Sequence, residues 1–282
     1  MSGKRLPPDI AEVVARAIAE DLGGGDLTAA LIPQETQARA RVLVREPATL
    51  CGVAWFDEVY RQVDKAVSLR WLFADGAEVA ADSVVCEIGG AARSIVTGER
   101  TALNFLQTLS GTATATRRYT AALAGTGTRV LDTRKTLPGL RQAQKYAVRC
   151  GGGVNHRFGL FDAVLIKENH IAAVGSLTAA VRAAKRTNPN VLIEVEVETL
   201  EQLFEALATE ADRIMLDNFS PHTLAAAVAA RNAHSGKRKE LEVSGGLSLE
   251  ELATIAATGV DFVSIGAITK HVRAVDFSMR FV

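Results

Sequence analysis

The sequence predicts an α/β protein, with an α+β region up to about residue 110 and then repeated βα units whose parallel sheet curls into a barrel. From Thr128 onward, β-forming runs alternate with alanine-rich helical ones, the rhythm of parallel strands joined by helical crossovers. Between Ala38 and Ile88, β-formers alternate or cluster between turns without that rhythm. The polar residues of the βα repeats fall at or just beyond the C-terminal ends of successive strands. A (β/α) barrel gathers those ends at one mouth, whereas an open sheet spreads them along a line.

Taken in order, Pro7-Pro8-Asp9 followed by Ile10, Val13, Val14, Ala17 and Ile18 reads as a capped amphipathic helix. Three glycines at 23–25 end it. ARARVLVRE, SLRWLF and SVVCEI read as strands separated by turns such as Asp75-Gly76. Thr97 opens a long helical pattern through Leu103, Leu106, Leu109 and Ala113 to about Leu123, which links the two regions. RVLDT, DAVLIK, VLIEVEVE, RIMLDN, LEVSG and DFVSIG are six clear strands, starting near 129, 162, 191, 213, 241 and 261. SLTAAVRAAKR and PHTLAAAVAARN are helices between them. A seventh strand is expected near Gly153-Val154, and no eighth is visible.

At 282 residues the chain can bury a sizeable core, as one large domain plus a smaller one. Its formal net charge is zero, yet Asp132 to His170 holds seven Lys/Arg and two His against three acids, while Val191 to Asp217 holds eight acids and one Arg. A local basic cluster beside Gly-rich turns suits a small, multiply charged anion. Nucleic acid is not expected, because the whole chain is not basic and only 5% of it is aromatic. The three cysteines, Cys51, Cys86 and Cys150, are far apart and include no C-x-x-C pair. That pattern fits a reducing compartment and neither a disulfide framework nor a thiolate zinc site. MSGKRLPPDI carries no apolar leader core, and no run approaches a membrane span. The expected location is the cytoplasm.

Arg134-Lys135 places adjacent cations just before Pro138-Gly139, an arrangement whose repulsion a bound anion relieves. Gly151-Gly152-Gly153 lets backbone N–H groups approach an anion. His156 beside Arg157 reads either as a proton donor or as an oriented hydrogen-bonding partner. A Cys150–His156 nucleophile pair is rejected for want of a group to orient the base. Lys167 ends a strand, either as a Schiff-base nucleophile or as a fixed cation, and the surrounding cations favour the second. Glu194, Glu196 and Glu198 share one strand face. Pointing inward, they need cations or a metal, and Asp217 can join them. Acidic strand ends opposite basic ones suit a ligand with phosphates at one end and hydroxyls or Mg²⁺ at the other. Ser244-Gly245-Gly246 and Ser264-Ile265-Gly266, at the last two strand ends, suit a phosphate held on backbone N–H groups.

These residues lie in motifs that closely resemble the quinolinate phosphoribosyltransferase family: EDLGGGDLT, TGERTALNFLQTLSGTAT, DTRKTLPGLR, CGGGVNHRFGLFDAVLIKENHI, IEVEVE, IMLDN, EVSGG and SIGAIT, in the family's order and nearly end to end. The resemblance implies an N-terminal α/β sandwich over residues 1–110, to which residues 271–282 return, and an incomplete, seven-stranded α/β barrel over 111–270. It implies that quinolinate and phosphoribosyl pyrophosphate (PRPP), with Mg²⁺, give nicotinate mononucleotide, pyrophosphate and carbon dioxide, a step of NAD biosynthesis. Carried over by position, Arg134, His156, Arg157 and Lys167 resemble the quinolinate-side cations. Thr133 belongs with the substrate side, and Lys135 with the same basic wall near the phosphoribosyl group. Glu196 and Asp217 resemble the carboxylates facing the ribose and its metal, which they hold indirectly through PRPP. The turns of Ser244, Gly245 and Gly246 and of Ser264, Ile265 and Gly266 resemble the 5′-phosphate site. Lys135, Lys167, Glu196 and Asp217 are the catalytic candidates. Arg100 resembles an arginine that reaches a neighbouring subunit's site, implying at least a homodimer, with a hexamer left open.

Displacement at an anomeric carbon by a pyridine nitrogen needs positioning and charge stabilisation, not a protein nucleophile. A Schiff-base barrel built on Lys167 leaves the rest of the basic cluster without a task. A sugar-phosphate-binding barrel without turnover leaves Glu196 and Asp217 without one. A paralogue with the same fold and another acceptor would differ at the dicarboxylate-binding residues.

Overall fold

A computed structural model describes residues 5–282; the start of MSGKRLPPDI, residues 1–4, lies outside the described residues. In chain order the elements are α1 Ile10–Leu22, β1 Gln37–Val44, β2 Ala48–Thr49, α2 Val53–Val63, β3 Ser68–Trp71, β4 Glu78–Val79, β5 Val84–Ala91, α3 Ala92–Ala122, β6 Arg129–Leu131, α4 Arg141–Cys150, β7 Ala163–Ile166, α5 Glu168–Val174, α6 Leu177–Thr187, β8 Leu192–Val197, α7 Leu200–Leu207, β9 Arg213–Asp217, α8 Pro221–Ala233, β10 Glu240–Ser244, α9 Leu252–Ala257, β11 Phe262–Ser264, α10 Ala267–Lys270 and β12 Phe277–Phe281. By packing, the chain falls into two compact units.

The first unit comprises Met1–Arg117, Lys135–Gly152 and Ala267–Val282. Its main sheet is antiparallel, in the order β12-β1-β5-β3, so the last strand of the chain pairs with the first. Alternation along β1 buries Ala40, Val42 and Val44 on one face. Helix α2 covers that core with Trp55, Phe56, Val59 and Tyr60, spaced to share one helical stripe. Each such large side chain contributes about 1.5–3 kcal/mol by leaving water. Gly111 of α3 lets Arg273 pass: a Cβ there would stand 2.2 Å from the Arg273 carbonyl oxygen. Helix α1 starts at the expected place, but Asp9 makes no side-chain cap bond. Helix α3 begins five residues before the expected Thr97, because β5 runs into it without a loop.

The second unit comprises Arg118–Arg134 and Gly153–Gly266. Its sheet is parallel throughout, in the order β6-β11-β10-β9-β8-β7. From β7 to β11, strands adjacent in sequence are adjacent in the sheet, and the last, β11, pairs with the first, β6. That cyclic order belongs to a barrel rather than to a doubly wound open sheet. The expected seventh strand is a single parallel bridge between Leu131 and Val154, so the unit is an incomplete barrel of six strands and one bridge. Ser176, Thr199 and Ser220 open α6, α7 and α8 by accepting backbone N–H bonds at 3.1–3.2 Å.

The register decides which residues face the same way. Glu194 lies beside Arg213, and Arg213 beside Glu240; Glu196 lies beside Met215, Met215 beside Glu242, and Glu242 beside Phe262. With a period of two, one face of the sheet therefore carries Glu194, Glu196, Arg213, Asp217, Glu242, Ser244 and Ser264. The opposite face carries buried Ile193, Val195, Val197, Ile214, Leu216, Leu241, Val243 and Val263. Helices α6 and α7 pack against β8. The apolar face meets helices, so the charged face is the barrel interior.

Candidate active site

Within the second unit, the upper end of the interior face has a basic side and an acidic side. The basic side begins where β6 ends. Asp132 is fully buried, and its carboxylate accepts the backbone N–H of His156 at 2.9 Å and the side-chain amide of Asn155 at 2.5 Å. This anchors the chain that enters Arg157. Asp162 then accepts the backbone N–H groups of Phe158 and Gly159 at 2.7 and 2.9 Å, closing a tight loop with exposed Leu160 and Phe161 at its tip. Burial, and next the charge of Arg134, lower the pKa of Arg157. Two guanidiniums are therefore close enough to repel, and an anion between them would offset that cost.

On the acidic side, Lys167 at the end of β7 forms an ion pair with Glu196 on β8. An ammonium held this way has no lone pair for Schiff-base attack, which supports the fixed-cation reading. Asp217 ends β9 and accepts the side-chain amide of Asn218 at 2.9 Å. Asn218 has φ 56°, a left-handed conformation that asparagine tolerates, and its N–H donates to the Ser244 carbonyl at 3.0 Å. Gly245 alongside has φ +142°, and a Cβ there would stand 3.0 Å from the Asn218 side-chain oxygen, so the turn requires glycine. Exposed Glu198 is shifted upward by Glu168 first, and then by Asp217 and Glu196. Four carboxylates crowd this rim, and a divalent cation would relieve their repulsion. Oxygen donors of this kind suit Mg²⁺.

Beneath the mouth lies a buried layer. His156 Nε2 is 2.7 Å from Glu194 Oε2 and 3.6 Å from Glu242 Oε2. Arg213 reaches Glu242 at 3.4 Å and Glu240 at 2.8 Å, and its guanidinium lies 4.3 Å from the centre of the Phe262 ring. The Ser264 hydroxyl donates to Glu242. Full burial, and then the charge of Glu194, push Glu242 well above the usual carboxylate range.

Of the expected site residues, Arg134, Arg157, Lys167, Glu196 and Asp217 share the C-terminal strand ends of this unit. Thr133, Ser244, Gly245, Gly246 and Gly266 lie on the loops that follow them, all at least partly exposed. At three of them the structure adds a contact. The Ser264 hydroxyl is turned inward to Glu242, because Ser264 lies on the interior face beside that acid. The Ile265 N–H is already bonded to the Leu131 carbonyl at 2.9 Å. His156, expected among the cations, has Nδ1 accepting the Arg157 N–H at 2.8 Å. Arg100 and Lys135 belong to the first unit. Arg100 is exposed on α3, and Lys135 is exposed with its carbonyl accepting the Thr269 hydroxyl at 2.8 Å.

Sequence reasoning missed Asp132, Asp162, Arg213 and Glu242. Glu242 stands two residues before Ser244, so the same period-two rule applied to LEVSG would have turned it inward. A cavity of about 440 Å³ lies within the first unit, lined by residues of α1, α3 and Pro138–Leu140, among them Arg16, Glu20 and Asp21. It contains none of the strand-end residues.

The comparisons with known proteins agree with this geometry. The quinolinate phosphoribosyl transferase C-terminal domain matches residues 112–280, and the N-terminal domain of the same family matches residues 26–110. The chain is 44% identical over 272 residues to the nicotinate-nucleotide pyrophosphorylase [carboxylating] of Mycobacterium leprae, covering 95% of each chain. It is 41% identical to a probable enzyme of that name from Bacillus subtilis, covering 92% of this chain and 89% of the relative. The solved structure of the nicotinate-nucleotide pyrophosphorylase from Francisella tularensis superposes with a TM-score of 0.95 at 46% identity, over 99% of this chain and 98% of that one. Human nicotinic acid phosphoribosyltransferase shares the fold alone, at 14% identity and a TM-score of 0.62. Both family domains and near-complete relatives at this identity place the chain in the quinolinate phosphoribosyl transferase family.

Proposed function

We propose that this chain transfers the phosphoribosyl group of PRPP to the ring nitrogen of quinolinate, giving nicotinate mononucleotide, pyrophosphate and carbon dioxide. The observation that carries the reading is the two-sided mouth: Arg134 and Arg157 at the strand ends on one side, each within the other's field, and Glu196 and Asp217 on the other. Quinolinate is a dicarboxylate, and two guanidinium forks with the Lys167 ammonium match its charge and geometry. Held there, its ring nitrogen is presented to the anomeric carbon, and positioning replaces nucleophilic catalysis. Glu196 and Asp217 face the positive charge that develops on the ribose as the pyrophosphate leaves. The ring nitrogen, once quaternised, stabilises the carbanion left by loss of the adjacent carboxylate. The Ser244–Gly246 and Gly266 turns of the second unit are assigned to the phosphoribosyl group.

Mg²⁺ fits the acidic rim. Glu196 and Asp217 would hold it together with the donor, and when bound it would neutralise the departing pyrophosphate. These two carboxylates are not part of a three-donor nest; among the described residues, such nests are Cys51–Asp75–Cys150 and His156–Glu194–Glu242. That supports metal arriving with PRPP over a resident ion. Among the described residues no helix is long and apolar enough to cross a membrane, and we assign the chain to the cytoplasm.

Purified protein given quinolinate, PRPP and Mg²⁺ is expected to release carbon dioxide and nicotinate mononucleotide in equal amounts, with neither formed when either substrate or Mg²⁺ is left out. Binding of PRPP with no turnover of quinolinate would instead indicate a different acceptor.

We assign Arg100, exposed on α3, to a partner subunit's mouth in a homodimer. Mixing Arg100→Ala with Glu196→Gln chains and allowing subunits to exchange is then expected to restore about a quarter of wild-type activity, since half of the dimers are mixed and each holds one intact site. No recovery on mixing would place Arg100 outside the shared site.

A further inference from the structure

The reaction above makes no use of the buried layer beneath the mouth. His156 has both ring nitrogens engaged. Nδ1 accepts the backbone N–H of Arg157 at 2.8 Å, and Nε2 stands 2.7 Å from Glu194 Oε2. An accepting Nδ1 places the ring proton on Nε2, which donates it to Glu194. A second proton would have to sit on Nδ1, where it would point at the Arg157 N–H and break that bond.

Two carboxylates face this ring, Glu194 from β8 and Glu242 from β10; behind them Arg213 of β9 reaches Glu242, while Asp132 after β6 binds the His156 backbone. Arg157 follows in the same loop. The donor atoms of His156, Glu194 and Glu242 lie within 4.8 Å of one another. Glu194 is 1% exposed, and its Oε1 meets no N–H or hydroxyl donor. A buried oxygen in that position needs a donor. Glu242, whose complete burial pushes its carboxyl well above the usual range, lies beside it and is placed to be one whenever it carries a proton. Its other bonds are to the Ser264 hydroxyl and to Arg213. The layer thus runs from Ser264 through Glu242, Glu194 and His156 to the backbone of Arg157.

We infer that Glu194 and a neutral His156 form a strut that fixes the Arg157 backbone, and through it the guanidinium that receives the acceptor's carboxylate. On this reading His156 neither adds charge to the mouth nor exchanges a proton with the substrate. It and Glu194 are positioning residues, with Glu242 beside them. The logic is electrostatic as well as geometric. Arg157 already feels Arg134, so an imidazolium directly behind it would add a third like charge, whereas a neutral ring supplies rigidity without repulsion. The inference rests on the proposed acceptor only for the kinetic part of its test.

The spectroscopic part needs no substrate and no substitution. Ring ¹⁵N resonances of His156 in the intact, unliganded protein at pH 7 are expected to show one protonated nitrogen, Nε2, and one bare nitrogen, Nδ1. Two protonated nitrogens, or the proton on Nδ1, would overturn the strut. For the kinetics, His156→Ala is expected to raise the KM for quinolinate by about 10–100-fold, the cost of losing an outer support, with the KM for PRPP unchanged. His156→Asn, whose side-chain oxygen occupies the place of Nδ1 and can accept the Arg157 N–H, is expected to recover most of that loss. Equal damage in both variants, falling on kcat, would show proton transfer or charge and refute the proposal. If wild-type protein fails to turn over quinolinate, the acceptor assignment falls while the ¹⁵N result still decides the strut.

Discussion

Replacing Arg213 by methionine is expected to lower the unfolding free energy by about 3–5 kcal/mol, the usual cost of leaving buried charge without its partner. Arg213 is 9% exposed and faces Glu240 at 2.8 Å, Glu242 at 3.4 Å and the Phe262 ring at 4.3 Å. Burial alone would lower its pKa, but the charges of Glu194, Glu240 and Glu242 outweigh burial and raise it. Methionine restores the stem's packing and none of the charge, so the loss isolates the electrostatics. The check is the urea midpoint at unchanged m-value. Arg213→Lys should recover only part of the loss, because a point charge cannot serve two carboxylates through a fork. A midpoint shift worth under about 1 kcal/mol would show that the layer adjusts by taking up protons.

The same layer gives a pH dependence with a definite sign. The folded pKa of Glu242 is raised above the ordinary 4.5. Its contribution is therefore fully present below pH 4.5 and is lost as pH rises through the folded value. Glu242→Gln should remove that dependence.

Arg134→Ala is expected to cost about 2–4 kcal/mol of transition-state binding, because it leaves a bound carboxylate without its charged partner. The readout is a fall in kcat/KM for quinolinate of about 30–1000-fold. Stability should change little, since Arg134 is exposed. Arg134→Lys should restore only part of the loss, for a guanidinium fork grips a carboxylate in two places and an ammonium in one. Unchanged catalytic efficiency in Arg134→Ala would remove Arg134 from the acceptor site.

Much of this molecule is legible in one dimension. The six βα strands start within a residue or two of where their β-forming runs begin, because a strand covered by helices on its outer face places an apolar residue at every second position. The strand-end rule placed Lys167, Glu196 and Asp217 correctly in relation to β7, β8 and β9. The basic cluster marked Arg134 and Arg157 before any geometry was known. Asp132 and Asp162 were not legible as anchors, since their carboxylates bind backbone N–H groups of a loop, and backbone donors have no signature in sequence. The Ser264 hydroxyl contact was not legible for a related reason: its face was predictable, but its partner, Glu242, sits on a strand 22 residues earlier.

Sequence by itself determined the α/β class, the order of the elements, the alternation that sets inner against outer residues, and the chemical inventory of a small-anion site. Each follows from local physics, such as helix and strand periodicity, turn chemistry and the cost of clustering like charges. Tertiary structure alone decided which inward charges meet. Register brought Arg213 between Glu194 and Glu240, loop closure laid His156 against Glu194, and burial in the resulting layer pushes the Glu242 carboxyl well above its ordinary range. Those outcomes depend on distances between residues far apart in the chain, and electrostatic energy in a buried site changes steeply with such distances.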